Sequence, residues 1–192
     1  LGGVTGIHLG SSASDIYLHD TYFVLAHFHY TFVPIAIIAV FAAIYYWFPK
    51  MFGRMMNETL GKIHFWGTVI PFNCIFIPLF FLGIGGQHRR IYDFRNFPDL
   101  SSDAYQNVRI FATISLVVML IFQLVFLVNF IRSMFKGKIA GNNPWKANTL
   151  EWTVPSPPPH GNFKEFPEVY RGPYEYSLEG REDDYWPQNQ PK

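Results

Sequence analysis

The sequence predicts an all-α fold: a polytopic transmembrane helical bundle with three transmembrane helices and an irregular, Pro-rich C-terminal tail. Three observations predict it. Apolar residues make up 49% of the 192 residues, aromatics 19% and charged residues only 15%, a balance of membrane rather than soluble chains. Three apolar stretches each exceed the roughly 20 residues that a helix needs to cross a hydrocarbon core at about 1.5 Å per residue. From Lys136 onward the composition turns abruptly to Asn, Pro, Glu and Trp.

Residues 1–20 are rich in glycine and small side chains and suit the exit of a preceding helix followed by an outer-side loop. No initiator Met, basic start or small-residue cleavage site opens the chain, so it reads as a fragment, a processed chain or one product of a split gene. The transmembrane part covers residues 21–135. Its first span runs from about 22 to 48 without a Lys, Arg, Asp or Glu, its second from about 63 to 86 and its third from about 110 to 131. Pro34, Pro71 and Pro78 fall inside spans, where membrane helices tolerate proline, and kinks are expected there. The tail, residues 136–192, holds Pro155-Ser156-Pro157-Pro158-Pro159 and the acidic run Glu182-Asp183-Asp184 and is expected to be soluble and extended or irregular.

Basic residues near the span ends set the orientation. Lys50, Arg54, Lys62, Arg132, Lys136 and Lys138 lie on one side, against Arg89, Arg90, Arg95 and Arg109 on the other. That bias puts the tail on the cytoplasmic or matrix side and the start of the first span on the outer side. The net formal charge of +1 and the absence of a basic face argue against nucleic acid as a partner. Cys74 is alone, which excludes a disulfide framework and covalent haem attachment through paired cysteines, and it reads as packing. No repeat, Walker loop or dinucleotide glycine motif occurs.

His27 and His29 carry the chemistry. Imidazoles inside a membrane helix are functional candidates by default, although either alone is as readily a hydrogen-bonding residue between helices. Positions two apart on a helix leave it roughly 200° apart, so the pair cannot easily chelate one metal, for which spacings of three or four serve better. Two separate acceptors, one on each side of the helix, fit instead, and haems with axial histidines are cofactors of the right kind. Arg89 and Arg90 follow Gly83, Gly85 and Gly86 at the outer end of the second span, at the level of the histidines. They read either as topological anchors or as forks for the carboxylates of haem propionates. Asp15 and His19-Asp20 precede the first span. Spacing favours Asp20 as the helix N-cap over a hard-cation site. His8, His64 and His160 read as surface or packing residues, and Gln123 and Asn129 as partners in interhelical hydrogen bonds.

The string Leu18-His19-Asp20-Thr21-Tyr22-Phe23-Val24-Leu25-Ala26-His27-Phe28-His29-Tyr30 closely resembles the signature of the cytochrome c oxidase subunit I family of haem–copper oxidases. Trp47-Phe48-Pro49, Gly61-Lys62, Arg89-Arg90, Tyr92-Asp93 and Pro98-Asp99 resemble it too, over roughly residues 1 to 135. The resemblance implies that the spans are the last three helices of the subunit. It implies His27 on the high-spin haem iron of the oxygen site, and His29 on the low-spin haem iron together with a histidine from an earlier helix. It further implies Arg89 and Arg90 on haem propionates with Asp15 near them, and His19 with Asp20 on magnesium at the boundary with subunit II, which reverses the preference for a cap alone.

The implied cofactors are two haems, of the A type, and magnesium; copper B is expected from the part of the subunit outside this chain. The implied partners are that N-terminal part, subunits II and III, cytochrome c or a complex containing it, and membrane lipids. The implied membrane is a bacterial plasma membrane or a mitochondrial inner membrane. The implied reaction is reduction of oxygen to water coupled to proton translocation, by the complex and not by this chain alone. Three alternatives stay open: a quinol oxidase or nitric oxide reductase of the same superfamily, a non-catalytic membrane cytochrome b, and a haem-free structural subunit. One departure stands out: where the family often has proline before the arginine pair, this chain has Gln87-His88.

Overall fold

In the computed structural model, which describes residues 1–183 and 185–191, six α-helices carry the fold: α1 (Gly2–Gly10), α2 (Ser12–Leu18), α3 (Tyr22–Val33), α4 (Ala39–Phe52), α5 (Glu58–Ile84) and α6 (Asp103–Lys136). Two short strands, β1 (Arg54–Met55) and β2 (Lys138–Ile139), pair antiparallel with Arg54 opposite Ile139. Asp184 of the acidic run lies outside the described residues.

Three helices are long and apolar enough to cross a membrane: Tyr22–Phe52, Glu58–Ile84 and Asp103–Lys136. The chain is a multi-pass membrane protein. The expected spans fall inside these helices, except that the second helix stops at Ile84. Gly86 then takes φ +86°, a left-handed conformation, in the tight turn that ends it. The helices also reach further into polar sequence than the apolar runs do. α6 begins at Asp103, in a first turn whose acidic residue suits the free N–H groups at a helix start.

Proline acts differently at its three expected kinks. Pro34 opens a π-helical segment, Pro34–Ile38, that joins α3 to α4; the missing N–H is absorbed by a wider turn rather than a break. Pro71 and Pro78 sit inside α5 without interrupting it.

The chain divides into two compact units. The first comprises residues 1–42 and 59–127, and α5 forms its core. Buried α5 residues recur at helical spacing from His64 through Thr68, Phe72, Phe76 and Phe80 to Gly83. Phe23 packs edge-on against Phe80 at 4.9 Å, and Tyr30 packs on Phe72 and Phe80 while its hydroxyl donates to Asn73 Oδ1 at 2.7 Å. The opposite side of α5, from Ile63 through Trp66, Ile70 and Ile77 to Phe81 and Ile84, is apolar yet exposed, as expected of a helix whose remaining neighbours are lipid or other helices.

The second unit comprises residues 43–58 and 128–192 and holds the tail. Among its described residues the tail is irregular, as expected, apart from β2 and a single 3-10 turn at Leu150–Trp152, but it is firmly seated. Trp152 is buried and its Nε1 donates to Tyr46 Oη at 2.9 Å, while Trp145 stacks on Tyr46 and donates to its carbonyl. Lys50 is buried in α4 and donates to Val154 O at 2.7 Å and Asn142 O at 3.0 Å, with its ammonium 5.1 Å from the Trp152 ring centre. Asn129 of α6 shares a side-chain hydrogen bond with Tyr45 of α4, the interhelical role expected of it, and also holds the α4–α5 connection. Its Oδ1 accepts from Asn57 N at 3.1 Å and its Nδ2 donates to Asn57 O at 3.0 Å.

A Lys50→Met substitution removes two charge-assisted bonds and strands two carbonyls, a loss of about 1.5–3 kcal/mol per bond at most. Limited proteolysis of membranes is expected to cut the substituted tail well before the native one. An unchanged cleavage rate would show that Lys50 does not hold the tail.

Candidate functional site

Helix α3 starts one residue later than the cap expected at Asp20. Thr21 is the N-cap: its hydroxyl oxygen accepts from Phe23 N at 3.2 Å and donates to Leu18 O at 2.7 Å. Asp20 instead takes φ +56°, a left-handed turn that Asp tolerates better than most residues, and this corrects the cap assignment. The turn aims the backbone of residues 20–22 at the end of α5. Tyr22 N donates to Gln87 O at 2.9 Å and Arg89 N donates to Asp20 O at 2.8 Å, forming an antiparallel bridge between Thr21 and His88. The His19-Asp20 corner and the Arg89-Arg90 pair, placed at one level by topology, are therefore adjacent in the backbone.

The bridge accommodates the departure before the arginine pair. It uses the carbonyl of Gln87 and the N–H of Arg89, and the His88 N–H makes no hydrogen bond among the described residues. A proline at 88 has nothing to remove there.

The two histidines leave α3 toward different walls. His27 faces α1: its Nδ1 lies 2.9 Å from Thr5 Oγ1, and a Cβ on Gly6 would sit 3.1 Å from its Cε1. His29 faces α5, stacked on Phe76 with centroids 4.2 Å apart and flanked by Phe28. Its Nδ1 lies 2.7 Å from Leu25 O, and since a carbonyl only accepts, Nδ1 carries the proton and Nε2 is left with its lone pair in the neutral ring. Neither Nε2 has a hydrogen-bond partner among the described residues. The Arg89 and Arg90 side chains likewise make no hydrogen bond or ion pair among the described residues, and Arg90 adopts φ +63°.

The donor set fits a haem on each side of α3. Each ring is half-buried among apolar and aromatic side chains, each has Nδ1 engaged and Nε2 free, and two uncommitted guanidinium groups lie near the start of the same helix.

For magnesium the fit is partial. His19 Nδ1 lies 3.6 Å from Asp15 Oδ2 and its Nε2 lies 3.9 Å from Asp20 Oδ2, with His19 and Asp20 largely exposed. Among the described residues no three His, Cys, Asp or Glu side chains close around one point. These residues provide part of a hard-cation ligand set, to be completed by water or another chain.

The roles of Arg109 and Thr5 escaped the sequence. Arg109, read only as an orientation charge, donates through Nη1 to Gln87 Oε1 and through Nη2 to Leu100 O, both at 3.0 Å, and packs 4.5 Å from the Phe94 ring centre. Gln87 is completely buried beneath it. Thr5 had no motif to mark it. Of the two roles expected for His64, surface or packing, the structure shows packing: it is buried between Phe41 and Phe126, with Nε2 3.2 Å from Gln123 Oε1, and Gln123 donates on to Thr68 at 2.9 Å, as an interhelical residue should. In the outer loop Arg95 grips Asp93 bidentately, and those hydrogen bonds hold the Asp93 carboxyl below the usual carboxylate range.

Comparison with known proteins decides the family. A family model described as "Cytochrome C and Quinol oxidase polypeptide I" matches residues 1–115. The chain belongs to that family. It is 44% identical to the alternative cytochrome c oxidase subunit 1 of Bradyrhizobium diazoefficiens over 99% of its length, covering 32% of that protein. It is 43% identical to cytochrome c oxidase subunit 1 of Thermostichus vulcanus over 95% of its length, and 42% identical to that of Synechocystis sp. over 93%, covering 32% and 31% of those proteins. The chain thus spans about a third of the length of these subunit I relatives. Their similarity extends beyond residues 1 to 135 into the tail.

Proposed function

We propose that this chain supplies one axial ligand to each of two haems in a respiratory terminal oxidase, His27 to the high-spin haem iron and His29 to the low-spin haem iron. The observation that carries the proposal is the pair of free Nε2 atoms on opposite-facing imidazoles, each with Nδ1 engaged. When bound, the haems, with copper B held by residues outside this chain, supply the electron relay and the reduction of oxygen to water with electrons from cytochrome c, coupled to proton translocation.

The chain's own residues fix that chemistry in place. The Leu25 carbonyl and the Thr5 hydroxyl hold the ring orientations, and Phe76 and Phe28 flank the His29 ring. Arg89 and Arg90 bind the propionate carboxylates, with Asp15 beside them, and His19 with Asp20 contributes to magnesium at the boundary with subunit II. The complex includes the N-terminal part of subunit I and subunits II and III, seated in a bacterial plasma membrane or mitochondrial inner membrane. The family description also names quinol oxidases, which keeps quinol as a second electron donor in view.

An optical spectrum of the intact reduced complex, with and without carbon monoxide, tests the assignment. Two haem populations are expected, only one of them shifted by carbon monoxide; a single population sinks it. An Arg89→Gln substitution removes a positive charge that favours the reduced haem. Its midpoint potential is expected to fall by on the order of 40 mV, the one-electron equivalent of about 1 kcal/mol. A redox titration with unmoved potentials would remove Arg89 from the propionate site.

A further inference from the structure

His27 is positioned from outside its own helix, by a hydroxyl with carbonyls of its own within reach. Thr5 Oγ1 lies 3.0 Å from Leu1 O and 3.1 Å from Gly2 O, as well as 2.9 Å from His27 Nδ1. A hydroxyl carries one hydrogen, and two carbonyls along α1 are placed to accept it. With the hydrogen on either carbonyl, the lone pairs of Oγ1 face the imidazole and can accept from Nδ1–H. In the neutral ring this leaves Nε2 unprotonated, the form a metal requires.

A second contact fixes the ring's place as well as its tautomer. A Cβ at Gly6, the next residue of α1, would stand 3.1 Å from His27 Cε1 and 3.8 Å from Nε2, so glycine there lets α1 approach the ligating edge without pressing on the ring. His29 is held differently, by the carbonyl of Leu25 within its own helix. α3 can therefore rotate or shift slightly without disturbing the His29 bond, whereas the His27 bond depends on α1 remaining in register with α3.

We propose that Thr5 is a positioning residue for His27: its hydroxyl accepts the Nδ1 proton, selects the tautomer that offers Nε2 to the iron, and sets the donor strength of the imidazole. This rests on His27 as ligand of the carbon monoxide-sensitive haem. As an acceptor, a neutral hydroxyl polarises the ring less than a carboxylate does.

The experiment is resonance Raman spectroscopy of the reduced, assembled oxidase, read at the iron–imidazole stretching band of the carbon monoxide-sensitive haem. The native band is expected at a neutral-imidazole frequency; an imidazolate frequency overturns the proposal without any substitution. Thr5→Val, which keeps the shape and loses the acceptor, is expected to shift the band to lower frequency and broaden it, while Thr5→Ser restores the native band. If Thr5→Val fails to assemble, Thr5→Ala carries the same expectation with less bulk. A native band in the Val or Ala variant overturns the proposal. His27→Ala separates the two levels: if the carbon monoxide-sensitive haem persists there, ligation by His27 is wrong, whereas its loss beside an unmoved Thr5→Val band removes Thr5 alone.

Discussion

Replacing His27 with Ala is expected to abolish the carbon monoxide response of the reduced complex while the low-spin haem spectrum survives; replacing His29 with Ala is expected to do the reverse. The asymmetry follows from the helix. Two positions apart on α3 the side chains diverge by roughly 200°, and the structure seats His27 against α1 and His29 against Phe76 of α5. Each ring has its Nδ1 on a separate partner, Thr5 for His27 and the Leu25 carbonyl for His29, so removing one leaves the contact that orients the other intact. Haem content per complex is expected to fall by about half in each variant, because an axial imidazole is what holds each haem iron. The measurement is a pyridine haemochrome assay paired with reduced spectra in the presence and absence of carbon monoxide. Loss of the same haem population in both variants would mean that the two imidazoles do not serve two irons.

How much of this was legible depended on whether the cause was local. The three spans were, because hydropathy over some 20 residues is a property of the segment itself. Their ends were not. Helix α6 begins at Asp103, and its first turns, through Arg109, carry charges that hydropathy counts against a span although they suit a helix start. The divergence of His27 and His29 was legible, since it depends only on helical period. The cap was misplaced by one residue because Asp20 and Thr21 are both good caps, and the choice fell to a left-handed turn made so that Asp20 O could accept from Arg89 N. Thr5, Arg109 and Lys50 were illegible for a common reason. Lys50 meets Val154 across 104 residues, and no short-range pattern predicts that pairing. Thr5 meets His27 across 22 residues and two helices, with no spacing rule to connect them.

The largest structural effect is expected from Gly83→Val, with Gly83→Ala a milder version of the same fault. A Cβ at Gly83 would lie 2.1 Å from Phe23 N and 2.7 Å from Phe23 Cα, distances that no rotamer change relieves because the obstacle is the backbone of α3. Small residues at such a crossing let two membrane helices touch along their backbones. Overpacking a core commonly costs about 1–3 kcal/mol, and a rigid backbone obstacle belongs at or above the top of that range. Relief requires α3 to move off α5, which strains the Tyr22 N to Gln87 O bond beside it and separates His29 from Phe76. The Gly83→Val complex is therefore expected to lose haem and to accumulate poorly in the membrane. Gly85→Ala calibrates the result, because its Cβ would meet the end of the Tyr105 side chain at 1.8 Å, an obstacle that can swing aside at the expense of one hydrogen bond to Gly85 O. Gly10→Ala completes the series, with nothing within 4 Å of the added carbon. Haem-to-protein ratio and thermal stability of the purified complex are expected to fall in the order Gly10→Ala, Gly85→Ala, Gly83→Ala, Gly83→Val. Native stability and haem content in Gly83→Val would mean that α3 and α5 do not cross in backbone contact, and the placement of both histidines relative to α5 would fall with that contact.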